Sequence, residues 1–295
     1  MKQTRKKRRW GDRKDGRLLR TLDPLSKMSP FIMPNRNGAN NLFSDSVEVT
    51  EMEHYINRKR KEGLNGFGVM HVIISAYVRT VAQRPGINRF LAGQRVYQRG
   101  DLVEVCLAIK KTMAIDAPET VVKIAFAPTD GPEQVHEKIA KVVEESKQAP
   151  LESDFDKTAA TLAKMPRILM KLAMWFLKLL DYFGRLPASL LAVSPFHGSI
   201  FITSMGSLGI PPVYHHLYDF GNIPVFMSFG AKRKTVELRK DGSPFERKYI
   251  DLTFNTDERI CDGFYYASSI KLFKSLLKNP FKLDTPVDQV VQDID

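Results

Sequence analysis

The stretch FNTDERICDGFYYASSIKLFKSLLKNP, residues 254–280, changes character at its middle. In its second half the apolar residues Ala267, Ile270, Phe273 and Leu277 recur every three or four positions, which places them on one face of a helix. Asp262, ahead of Gly263, is placed to cap that helix, and Pro280 stops it. The first half gathers Asp257, Glu258, Arg259 and Asp262. Glu258 is the residue to weigh. Buried alone, a carboxylate becomes a stronger base by several pH units; held by Arg259, it becomes useless as one.

Working upstream, KTVELRKDGSPFERKYIDLTF reads as a hairpin with Asp241–Gly242 in the turn. IPVFMSFGAK and SIFITSMG are short runs rich in β-formers, as are LVEVCLAIKK and TVVKIAFAPT. Helical spacing appears in VMHVIISAYVRTVAQRPG, which stops before Pro85, and in the polar amphipathic GPEQVHEKIAKVVEESKQA. Thr50, with Glu53 three residues on, reads as a capping box opening a further helix. His71 lies on a mostly apolar helix and reads as a core histidine. Strands and helices mix without regular βα alternation, so an α+β domain with a mixed sheet is expected.

The 295 residues carry a formal net charge of +12, unevenly placed. Residues 1–20 hold ten Lys/Arg against two Asp, a net of +8, which leaves +4 for the rest. This basic segment is expected to be a disordered tail, with residues 21–295 forming a single domain. It could touch anionic lipid. Without a recognisable nucleic-acid module, nucleic-acid binding is not expected. No apolar stretch follows to make it a secretory signal. Cys106 and Cys261 have neither metal-ligand nor disulfide spacing, and His215–His216 lacks acidic or cysteine partners. No metal is expected, and the setting reads as reducing and cytoplasmic.

KMPRILMKLAMWFLKLLDYFGRLP, residues 164–187, reads as a helix starting near Pro166. Arg167, Lys171 and Lys178 fall within an arc of about 40°, and nearly everything else is apolar. It is too charged to span a bilayer. Three places remain for it: the protein's own core or a subunit contact, a membrane surface with the stripe 166–183 facing headgroups, or a lid over an acyl chain.

DERICDG followed by a helix and LLKNP resembles the D-H-R-x-x-D-G signature of the dihydrolipoyl acyltransferases of 2-oxoacid dehydrogenase complexes, and CDGF is close to their chloramphenicol acetyltransferase relatives. IFITSMGSLG is similar to that family's T-F-T-I-S-N-L-G, and VIISAYVRTVAQRPGIN to a helix closing in h-P-x-h-N. YDFGNIPVFMSFGAKRK sits where the family has a loop, a strand and a glycine. The likeness runs from about Leu25 to Pro280, with segment 164–195 as an apparent insertion. No lipoyl-attachment module precedes it.

The resemblance implies a chloramphenicol-acetyltransferase-like sandwich, coenzyme A or acyl-CoA as substrate, and a homotrimer with its site between subunits. Family catalysis implies a His base, which maps to Glu258. A Ser donating to the oxyanion maps to Ser204, with Ser207 as the other choice, and an Asp in a structural ion pair maps to Asp262. Ser204 could equally serve a turn. His197, His215 and His216 are the histidines that could stand in for the missing one. An acid in the His position leaves two further readings open, a binding or assembly subunit and a membrane-surface protein.

Overall fold

The computed structural model describes residues 8–110, 119–148 and 164–295. Its centre is a mixed six-stranded sheet in the order β2-β9-β8-β7-β5-β6. The strands are β2 (Asn40–Glu48), β5 (Val103–Lys110), β6 (Glu119–Phe126), β7 (Ile200–Ser204), β8 (Val225–Leu238) and β9 (Pro244–Asp257). β7 runs parallel to both β5 and β8, and the other pairs are antiparallel. The hairpin and the run before it fuse into two strands of 14 residues, β8 and β9, joined at Asp241–Gly242. Gly242 has φ +82, the left-handed backbone that such a turn demands. A smaller antiparallel sheet pairs β1 (Gly16–Leu18), β4 (Arg95–Arg99) and β3 (Arg89–Ala92).

The helices are α1 (Pro24–Ile32), α2 (Thr50–Lys61), α3 (Val69–Gln83), α4 (Pro132–Gln148), α5 (Arg167–Tyr182), α6 (Ala188–Val193) and α7 (Gly263–Lys278). α3 and α7 lie on one face of the large sheet. Ile73, Ile74, Tyr77, Phe273 and Leu277 pack there against Ile202, Met227 and Phe254. The loop after β7 covers the other face, where Leu217 and Ile223 join Phe201 and Phe226. Gly221 holds that loop down: its φ is +93, and any side chain there would strike the Phe196 carbonyl. The α+β architecture with a mixed sheet is the one expected.

Two sequence expectations are corrected. The capping box at Thr50 does not form: Glu53 pairs instead with Lys232 and Lys248, drawn off by two cations across the sheet. The basic tail does not extend to residue 20. Its first seven residues lie outside the described part, but residues 8–20 join the fold. β1 pairs with β4, and Arg13 is buried between Asp15 (3.0 Å) and Asp181 (2.6 Å). Arg99 sits below them and donates to Asn222, whose amide reaches Asp15 at 2.7 Å. Burial alone would raise the Asp15 pKa, but Arg13 and Arg99 hold it below the ordinary range. Paired charges make this stretch structural, although its composition reads as solvent-exposed.

Candidate active site

Asp257 ends β9, and Arg259 follows two residues on. They form a bidentate ion pair, with both bonds 2.8 Å and both side chains 1% exposed. The third guanidinium nitrogen donates to the Met33 carbonyl at the end of α1. The pair therefore clamps the turn into α7 and ties α1 to it. Arg36 is buried nearby and donates to the Ile223 carbonyl; burial lowers its pKa even with Asp257 at hand.

Glu258 lies between the paired residues in sequence. It opens a short 3-10 turn, is solvent-exposed, and among the described residues makes no ion pair. Arg259, the neighbour that could have held it, is taken by Asp257. Asp262 takes the helix-capping place read from its position ahead of Gly263, not the ion pair implied by the resemblance. It forms no ion pair among the described residues and instead caps α7, accepting from the Tyr265 backbone N–H at 2.8 Å. The buried ion pair at this turn is the one between Asp257 and Arg259.

Ser204 ends β7 and is half-buried. It lines a cleft of about 350 Å³ with His71, Phe229, Ile250, Gly68 and Gly230. Gly206 makes the turn beside it possible, because a Cβ there would lie 3.0 Å from the Gly230 carbonyl. Ser207 is exposed, beyond the strand end, and does not line the cleft.

His71 belongs to this cleft and is not the plain core residue its helix suggests. Its Nδ1 accepts the Gly68 N–H at 3.0 Å, and its ring stacks on Phe67 and lies tilted against His136. Burial, with His136 beside it, lowers its pKa to about 4. The ring is therefore neutral at pH 7. With Nδ1 accepting, the ring proton sits on Nε2, which faces no other protein partner among the described residues. The available sequence signal was the pair Gly66 and Gly68 ahead of α3, both of which line the cleft.

One chain does not bring Ser204 and Glu258 together. Ser204 is level with Phe229 on β8, and Phe229 is level with Leu252 on β9. Glu258 lies six residues beyond Leu252, which is roughly 20 Å along the strand at ~3.3 Å per residue. The histidines that could replace the missing imidazole are otherwise engaged. His197 is buried, with Nδ1 2.8 Å from the Ser194 hydroxyl and Nε2 3.4 Å from Asp181. His215 stacks on Phe226 at 4.2 Å, and its backbone carbonyl accepts from Asn255. His216 packs edge-on to Tyr218.

Burial pushes both thiols, Cys106 and Cys261, up to about 12, so neither is a nucleophile at neutral pH. Among the described residues no group of three or more His, Cys, Asp or Glu could hold a metal.

No protein-family model matches the chain, and no curated protein matches it in sequence. Solved structures do match in fold. A probable dihydrolipoamide acetyltransferase from Listeria monocytogenes aligns with TM-score 0.56 at 15% identity, over 90% of this chain and 96% of that one. The dihydrolipoamide acetyltransferase of Azotobacter vinelandii, studied for the roles of a serine, a histidine and an asparagine in its catalytic mechanism, aligns with TM-score 0.50 at 14% identity, over 90% and 93%. A chloramphenicol acetyltransferase aligns with TM-score 0.52 at 11% identity, over 89% and 99%. The chain has the fold that dihydrolipoamide acetyltransferase catalytic cores share with chloramphenicol acetyltransferase.

Proposed function

We propose that the chain moves an acyl group from a coenzyme A thioester to a small acceptor, at a site completed between copies of itself in a homotrimer. One observation carries this reading. Glu258 is accessible and without an ion pair among the described residues, Ser204 opens onto a cleft, and the two lie roughly 20 Å apart in one chain. They can act together only if one copy supplies Ser204 and the next supplies Glu258. The A. vinelandii enzyme uses a serine, a histidine and an asparagine. Ser204, Glu258 and Asp262 take the corresponding places in the proposal, with Asp262 acting through the α7 cap.

The cleft suits a slender, mixed ligand. Its walls combine apolar side chains, Phe229 and Ile250, with glycine backbone at Gly68 and Gly230. Its size is within the usual range of small-molecule sites. In the reaction, Glu258 takes the acceptor's S–H or O–H proton as the heteroatom attacks the thioester carbonyl. The Ser204 hydroxyl donates to the developing oxyanion. Collapse expels the coenzyme A sulfur, which recovers the proton from Glu258.

A glutamate starts about two pKa units below a histidine, a handicap of about 3 kcal/mol in driving force. Excluding water at a subunit contact raises a carboxylate and offsets this. The test is turnover of short acyl-CoA thioesters by the purified chain. Activity that falls about 100-fold or more in Glu258→Ala and in Ser204→Ala supports the proposal.

A second reading is favoured by the acid itself, because a carboxylate adds negative charge beside an anionic intermediate. In that reading the scaffold is a non-catalytic binding or assembly subunit. Absence of turnover and of coenzyme A binding in the natural chain, with activity gained in Glu258→His, would establish it and overturn the first.

A further inference from the structure

Helix α5 is not sunk in the core, and no other described residue covers its apolar side chains. Ile168 is 75% exposed, Trp175 61% and Phe183 65%, and Leu172 and Phe176 are more than half exposed. Asp181 is its one buried residue. The helix is held at its C-terminal end, where Asp181 meets Arg13 and His197 and the Tyr182 hydroxyl donates to Gln94 at 3.1 Å. Soluble chains rarely leave so much contiguous apolar surface open.

The apolar surface continues past the helix. Gln94 in the β3–β4 turn and Arg95, the first residue of β4, help line a groove of about 340 Å³ that also includes Pro30 and Phe31 of α1. On α1, Leu25, Met28, Phe31 and Ile32 are all more than half exposed. Beside Arg95, Gly11 leads back to Trp10, whose carbonyl accepts from Arg20 at 2.8 Å. Trp10 is 89% exposed. Both tryptophans of the chain therefore stand in solvent.

Charge selects the partner. From Lys164 to Arg185 there are five cations and one acid, Asp181, which is buried. Lys27 and Arg95 add to the face through the groove, whereas Arg20, which also lines it, is paired with Asp12 at 3.0 Å. A second copy docking symmetrically would bring like charges together, and the cores of protein interfaces are depleted in lysine. An anionic headgroup layer complements the cations, acyl chains receive the leucines, and tryptophan favours the boundary between them. No helix among the described residues is long and apolar enough to cross a membrane, so α5 would lie in the plane of the surface.

We infer that the face formed by Trp10, α1, the β3–β4 turn and α5 docks on an anionic lipid membrane. The inference is independent of the acyl-transfer reading.

The test uses the full chain with phosphatidylcholine vesicles, with and without phosphatidylserine, read by co-sedimentation and tryptophan emission. Binding should require the anionic lipid, fall as sodium chloride rises, and shift emission to the blue in both single-tryptophan variants, Trp10→Phe and Trp175→Phe. The double reversal Lys171→Glu/Lys178→Glu should weaken binding at least about tenfold. The reversed side chains are solvent-exposed, and an unchanged thermal melt shows that the fold is kept. No binding to anionic vesicles overturns the inference. So does binding indifferent to charge and salt, or Trp175 already shielded without lipid in a self-associated form.

Discussion

Glu258 is flanked by residues with a different task. Asp257 and Arg259 are buried and satisfy each other, and Arg259 also holds Met33. Asp257→Asn leaves the guanidinium without its counter-charge and should cost about 3–5 kcal/mol in denaturant unfolding at neutral pH. Glu258→Gln removes an exposed carboxylate with no ion pair and should change stability by no more than about 0.5 kcal/mol. A large loss at 258 with little at 257 would reverse the assignment of clamp and candidate base. The charged cluster itself was legible in DERICDG. Its division of labour was not, because identity and spacing do not say which carboxylate Arg259 will turn to. The family analogy assigned the ion pair to Asp262, where local geometry gives a helix cap.

At the scale of elements, α3 carries a pH-dependent signature. His71 has a pKa of about 4 in the folded chain against about 6.5 when exposed. The unfolded chain therefore takes up a proton that the folded one refuses. Stability should be lost as pH falls from about 6.5 toward 4, by about 1.5 kcal/mol between pH 6.5 and 5. Denaturant unfolding across that window checks it, and His71→Gln should flatten the profile. A wild-type profile as flat as the variant's would mean the ring is not held neutral.

Helix α5 makes the opposite prediction for packing. Leu172→Ser and Trp175→Gln should stay within about 0.5 kcal/mol of the natural chain, because both side chains are already in water. Asp181→Ala exposes Arg13 to a partial loss of partners and should cost about 2 kcal/mol, with Asp15 retaining the rest. The helix was readable from its period, since periodicity is local. Its exposure was not, because an apolar arc looks the same facing a core or facing out. The buried role of Arg13 was hidden for a related reason: its partner Asp181 is 168 residues away, while the surrounding run reads as solvated charge. His71 and Ser204, which share one cleft, are likewise far apart in sequence.

At the level of the whole molecule, the proposed acyl-transfer site belongs to an assembly. A single chain presents a serine at one end of the sheet and a carboxylate beyond the other. The native thiols allow a direct probe, because Cys106 and Cys261 are pushed up to about 12 and should resist maleimides near neutral pH. The measurement is cross-linking of the Ser204→Cys/Glu258→Cys double variant with a bis-maleimide whose reach is well short of the intrachain separation, read on a denaturing gel. The account predicts covalent trimers that need both substitutions. Monomers alone, or products unchanged in either single variant, would contradict it.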